Sequence, residues 1–159
     1  MNLKNKLIIY ELNEVPLTLI NKFISLYPNS AISLILKEGS ITETFSVDKG
    51  ELHPWSTWPT VHRGVDNTKH KIKYINQDLT EANNKYPPIW KILLENKVDI
   101  GIFGSLQSFP PLKGKNVKFY LPDTFSPSPE AYPKNLQVFQ EFNLKMTSDN
   151  KAIPKKIDK

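Results

Sequence analysis

Cysteine is absent from the 159 residues, which excludes disulfide frameworks, cysteine-ligated zinc modules, iron–sulfur sites and thiol nucleophiles. Any metal site must then draw on carboxylates and three His. Long apolar runs are also missing: none approaches the roughly 20 residues of a membrane span. The start, Met1-Asn2-Leu3-Lys4-Asn5-Lys6, leads into a short apolar run that is soon interrupted by Glu11 and Glu14. That is not the pattern of a signal peptide, so the expected location is cytoplasmic, with no membrane partner. Arginine is nearly absent, Arg63 being the only one among 21 basic residues. Base-edge readout favours the planar guanidinium fork, and a lysine excess supports no specific nucleic-acid recognition. The net charge of +5 is also unevenly placed. Residues 145–159 hold five Lys against Asp149 and Asp158, a net +3 that leaves +2 for the rest.

What is present reads as an α/β chain. Leu7-Ile8-Ile9-Tyr10 is apolar and β-branched, as expected of a strand buried on both faces. Leu17, Ile20, Phe23, Ile24 and Tyr27 follow Pro16 at helical spacing, and Pro28 stops that helix. Asn29 or Ser30 can cap a second helix, ended by Gly39. Residues 41–47 alternate as a second strand. Residues 48–85 are polar and less regular, around Trp55 and Trp58. Pro87 or Pro88 can open a helix to about Lys97, followed by a strand over 98–104 and another over 117–121. Four prolines make 121–134 an extended loop, and a last amphipathic helix carries Leu136, Val138, Phe139 and Phe142. The expected division is one α/β domain over residues 1–146 and a Lys-rich, disordered tail over 147–159.

In open α/β sheets chemistry gathers at the carboxyl ends of strands, which draws attention to two segments. Glu11-Leu12-Asn13-Glu14 can supply oxygen ligands to a divalent cation. It can equally be an acidic helix start, with Asn13 as cap. Glu11 is the harder of the two acids to explain structurally, because it continues an apolar strand. Residues 51–64 concentrate His53, His62, Arg63 and the hydroxyls of Ser56, Thr57 and Thr60. A hydroxyl at a helix N-terminus has nearby donors and a favourable dipole for an anion, and Pro59 suits an early helical position just after Thr57. The bland alternative is an N-cap and a short helix with both tryptophans in the core. No Gly-x-Ser-x-Gly elbow or P-loop exists. His70, inside Lys69-His70-Lys71-Ile72-Lys73, reads as a solvated loop residue, and its basic run as a solvated surface.

Together, Leu7-Ile8-Ile9-Tyr10-Glu11 and Ser56-Thr57-Trp58-Pro59-Thr60-Val61-His62-Arg63-Gly64 resemble the N-terminal part of an alkaline phosphatase superfamily domain. The nearest branch is the type I phosphodiesterase/nucleotide pyrophosphatase-like one. Pro88-Ile89-Trp90-Lys91-Ile92-Leu93 and Gly101-Ile102-Phe103-Gly104 resemble its next helix and strand, and the likeness covers about residues 6–145. It implies a three-layer, mostly parallel sheet flanked by helices, incomplete in this chain. It implies two divalent metal ions, zinc by preference, with Glu11 and Thr57 as ligands. Thr57 would be the nucleophile toward a small phosphoester or other anionic substrate, with Ser56 in that place if the alignment slips by one residue. Arg63 and the Trp58 N–H would stabilise phosphoryl oxygens. Glu at position 11 replaces the family's commoner Asp, and no Asp-x-x-x-His or Asp-His cluster stands at a strand end after Thr57. The expectation is therefore an N-terminal portion, inactive alone, completed by a missing C-terminal portion or by a second copy. The alternative is a non-catalytic α/β module that binds an anion or a partner through residues 51–64.

Overall fold

The structure, a computed structural model, describes residues 6–75 and 77–149. The chain divides between Ser46 and Val47 into two compact units.

The first unit holds two helices, α1 (Leu17–Leu26) and α2 (Ala31–Glu38). Pro16 stands at the N-cap of α1, and Ser30 caps α2 by accepting the Ser33 N–H. The turn between them is tied by Ser33, whose hydroxyl donates to the Tyr27 carbonyl at 2.7 Å. Phe23 and Tyr27 pack ring to ring at 4.9 Å, one helical turn apart along the chain. Helix α1 buries no residue. The expected strands over 7–10 and 41–47 are not formed. Leu7, Ile8, Ile9 and Tyr10 are between 64% and 88% exposed, so the apolar run exists without a neighbouring strand. A strand is defined by its ladder, and propensity alone cannot supply one. No single helix among the described residues is long and apolar enough to cross a membrane; α1 and α2 reach that length only together, bent by 109°.

The second unit begins with α3 (Pro54–Arg63), α4 (Asn67–His70) and α5 (Thr80–Lys85), three short helices in the polar stretch with no clear periodicity. Helix α6 (Ile89–Glu95) leads into β1 (Ile100–Phe103), and β2 (Val117–Leu121) pairs with β1 in parallel. A 3-10 turn (Lys134–Leu136) precedes α7 (Gln137–Asp149). Among the described residues the sheet has these two strands alone. The α/β class holds, while the expected three-layer sheet is corrected to a small parallel pair. Tyr132 adds one antiparallel bridge beside β2, exchanging both backbone hydrogen bonds with Tyr120. Gly101 faces Phe119 across the pair, where an added Cβ would lie 2.4 Å from the ring. Trp90, Ile100, Val117 and Tyr120 form the buried core, with Leu93, Leu94 and Tyr132 packed around it. The loop over 121–134 is irregular as expected, apart from that bridge. Helix α7 extends past residue 146 to Asp149, and the rest of the expected tail lies outside the described residues.

Candidate functional site

Helix α3 organises the site, and it starts earlier than the hydroxyl pattern suggests. Its first residue is Pro54, whose absent N–H costs nothing at a helix start. Ser56, at the third helical position, closes a capping box with the N-cap residue His53. Its hydroxyl donates to the His53 carbonyl at 3.0 Å and accepts the His53 N–H at 3.3 Å. Ser56 is buried, at 3% exposure. Thr57 is half-buried, and its Oγ1 donates to the same carbonyl at 3.1 Å. Its N–H is also bound there, at 2.9 Å. Trp58 falls at the fifth helical position, beyond the N–H groups that a helix leaves free at its start. Pro59 is correspondingly in the second turn, where it removes one helical hydrogen bond.

Arg63 closes the helix from the other end. Its guanidinium donates to the carbonyls of Tyr86 and Ala82 and, at 2.8 Å, to the Asn83 side-chain oxygen. Burial lowers its pKa to about 10, and the interaction with Tyr120 opposes that shift. The fork expected to face a phosphoryl group is instead directed at the C-terminal end of α5. Gly64 then takes the left-handed conformation, at φ 65°, that lets the chain leave α3.

A polar chain that sequence reading missed runs through Asp48, Thr60 and His70. The Thr60 hydroxyl donates to Asp48 Oδ1 at 2.7 Å, and His70 Nε2 lies 3.0 Å from the same hydroxyl. His70 Nδ1 accepts the Ile72 N–H at 3.0 Å. This acceptor role puts the neutral ring's proton on Nε2, which then donates to Thr60. His70 is 3% exposed, against the expectation of a solvated loop residue. Burial lowers its pKa; Asp48 opposes this, Arg63 adds to it, and Asp66 opposes it. Because Nδ1 and Nε2 are both engaged in the neutral form, His70 fixes the turn after α4 and is not poised as a base. The signal that could have revealed it was Ile72, an apolar residue that is fully buried between two lysines. His62 is the other buried imidazole, packed 5.8 Å from the Trp58 ring and 4.9 Å from Trp90.

Glu11 belongs to the first unit, where it follows the uncovered 7–10 segment and is half-buried. Asn13 does not cap α1, because that helix starts at Leu17; Glu14 takes φ 56° in the intervening turn. Among the described residues no group of three or more His, Asp or Glu side chains could hold a metal ion. The Thr57 hydroxyl proton is directed at a carbonyl. These residues by themselves do not fit the two-metal site that the resemblance implies. Comparisons with family models, with curated proteins and with solved structures returned no match.

Proposed function

We propose that this chain carries the nucleophile-bearing helix of a metal-dependent phosphoester hydrolase, with Thr57 as the attacking residue. One observation supports this reading above the rest. Thr57 lies in the first turn of a ten-residue helix, is half-exposed, and accepts no hydrogen bond among the described residues. Its oxygen lone pairs are thus uncommitted, as an attacking hydroxyl requires. Thr57 would also be a ligand of a divalent ion, and further ligands would come from outside the described residues. Ser56 is the weaker nucleophile candidate, because it is buried and its hydroxyl both donates and accepts within the capping box.

The test uses a form extended by the coding sequence downstream of codon 159, which this reading expects to encode Asp and His clusters. That form should hydrolyse a chromogenic phosphodiester in the presence of zinc. Thr57→Ala should abolish turnover with the circular dichroism spectrum unchanged, and Ser56→Ala should retain it. Turnover surviving in Thr57→Ala removes Thr57 from the role, and a downstream sequence with no such clusters overturns the reading as a whole.

A second reading, a non-catalytic α/β module that binds an anion or a partner, is favoured by the internal commitments of Ser56, Thr60 and Arg63. It predicts binding without turnover in every form.

A further inference from the structure

A hollow of about 890 Å³ opens on the second unit; Thr57 is not part of its lining, and Lys49, Lys71 and Lys73 are. Asn67, Tyr74 and Gln77 complete the part of its wall that matters here. Two side-chain amides hold all three lysine backbones in place. Asn67 clamps Lys49 from both sides, accepting its N–H at 2.9 Å and donating to its carbonyl at 2.8 Å. Gln77 bridges the other two, accepting the Lys73 N–H at 2.9 Å and donating to the Lys71 carbonyl at 2.8 Å. Lys71 is held at φ 57°, a conformation that a non-glycine residue adopts only when its surroundings impose it. Asn67 is itself anchored, its N–H donating to Asp48 Oδ1 at 2.8 Å.

The hollow is lined by positive charge. None of its lining residues is acidic, and among the described residues none of the three ammonium groups makes an ion pair. The carboxylates next in sequence to this wall have hydrogen-bond partners of their own: Asp48 Oδ1 accepts from Thr60 and Asn67, and Asp66 Oδ1 from Thr68. Three like charges drawn around one concavity repel each other, and a bound anion relieves that repulsion. The Tyr74 side chain is 70% exposed at the rim, and its backbone is fixed by Gln107, which donates to the Tyr74 carbonyl at 3.0 Å.

We propose that this hollow binds a small ligand through a diphosphate group, with Lys49, Lys71 and Lys73 as its cationic contacts. A single phosphate carries too little charge for three ammonium groups, whereas a diphosphate presents enough oxygens to engage all of them. The site does not use Thr57 and stands independently of the hydrolase reading.

Titration calorimetry of the full chain with inorganic pyrophosphate tests it. Saturable binding is expected, weakening as salt rises. Lys71→Gln and Lys73→Gln should each weaken it about tenfold, the loss expected for one charge-assisted contact. Gln77→Leu should weaken it with every charge retained, whereas Lys115→Gln, a lysine outside the hollow, should leave it unchanged. ADP serves as the second probe: affinity equal to pyrophosphate assigns recognition to the diphosphate alone. Tighter ADP binding that Tyr74→Ala abolishes extends the site to the base. Absence of saturable pyrophosphate binding overturns the proposal, as does an equal loss in Lys115→Gln and Lys71→Gln.

Discussion

Acidification should loosen the segment between α3 and α5 through one imidazole. His70 is buried and neutral, with Nδ1 accepting the Ile72 N–H and Nε2 donating to Thr60. Protonation would place a hydrogen on Nδ1, facing the Ile72 N–H, so an attractive contact would become donor against donor. The folded-state pKa lies below the ordinary value of 6.5, chiefly through burial. A depressed folded pKa means that the unfolded chain takes up the proton first. The stability His70 contributes is therefore complete above 6.5 and is lost as pH falls toward the folded value. The ceiling on that slope is about 1.4 kcal/mol per pH unit. Between pH 6.5 and 5.5 the loss therefore has a ceiling of about 1 kcal/mol, and the attraction of Asp48 and Asp66 for the charged ring holds it below that. Urea unfolding followed by tryptophan fluorescence at about pH 7.5 and 5.5 reads this directly. His70→Asn is the informative variant, because its side-chain oxygen can occupy the place of Nδ1 and accept the Ile72 N–H. It should lower stability at the higher pH by about 1 kcal/mol, for the lost contact to Thr60, and flatten the pH dependence. His53 and His62 are present in both proteins, so the difference between the two slopes isolates His70. Equal slopes in the wild type and His70→Asn would refute the reasoning.

Two further substitutions probe the scaffold. Arg63→Met should keep much of the packing volume but lose the hydrogen bonds to Ala82, Asn83 and Tyr86, costing about 2–4 kcal/mol in chemical denaturation; a cost under about 0.5 kcal/mol would show that Arg63 does not hold α5 to α3. Gly101→Ala would put a methyl group against the Phe119 ring. Because Phe119 is 41% exposed and can swing outward, the expected cost is about 1–2 kcal/mol, and the double variant Gly101→Ala/Phe119→Ala should remove the clash part of it in a thermal melt.

Legibility in the sequence followed how local each signal was. Helices α1, α2 and α6 were readable because spacing, proline and a capping serine or glycine act within a few residues. Strands β1 and β2 were readable for the same reason, as short β-branched or aromatic runs between breakers. Residues 7–10 carry the same pattern and form no strand, because pairing depends on a partner that composition cannot specify. At the site, the clustering of hydroxyls on α3 was visible, but which atoms they would bind was not. The proline that mattered for the helix start was Pro54, with Pro59 one turn too late. His70 was hidden by the lysines around it, which suggest water although the ring is enclosed. The two amide clamps were out of reach, since Asn67 lies 18 residues from Lys49 and nothing in either marks the pairing.

The sparse core has a calorimetric consequence. Among the described residues Trp90, Ile100, Val117 and Tyr120 form the one clustered apolar centre, while Leu7, Ile8, Phe45, Phe103 and Tyr10 stand more than 70% exposed. Side chains already in water contribute nothing to the heat capacity gained on unfolding, which tracks newly hydrated apolar area. The stability curve of this chain should therefore be flatter than its length suggests. Heat would have to undo chiefly hydrogen bonds such as those of Arg63, Asn67, Gln77 and Gln140.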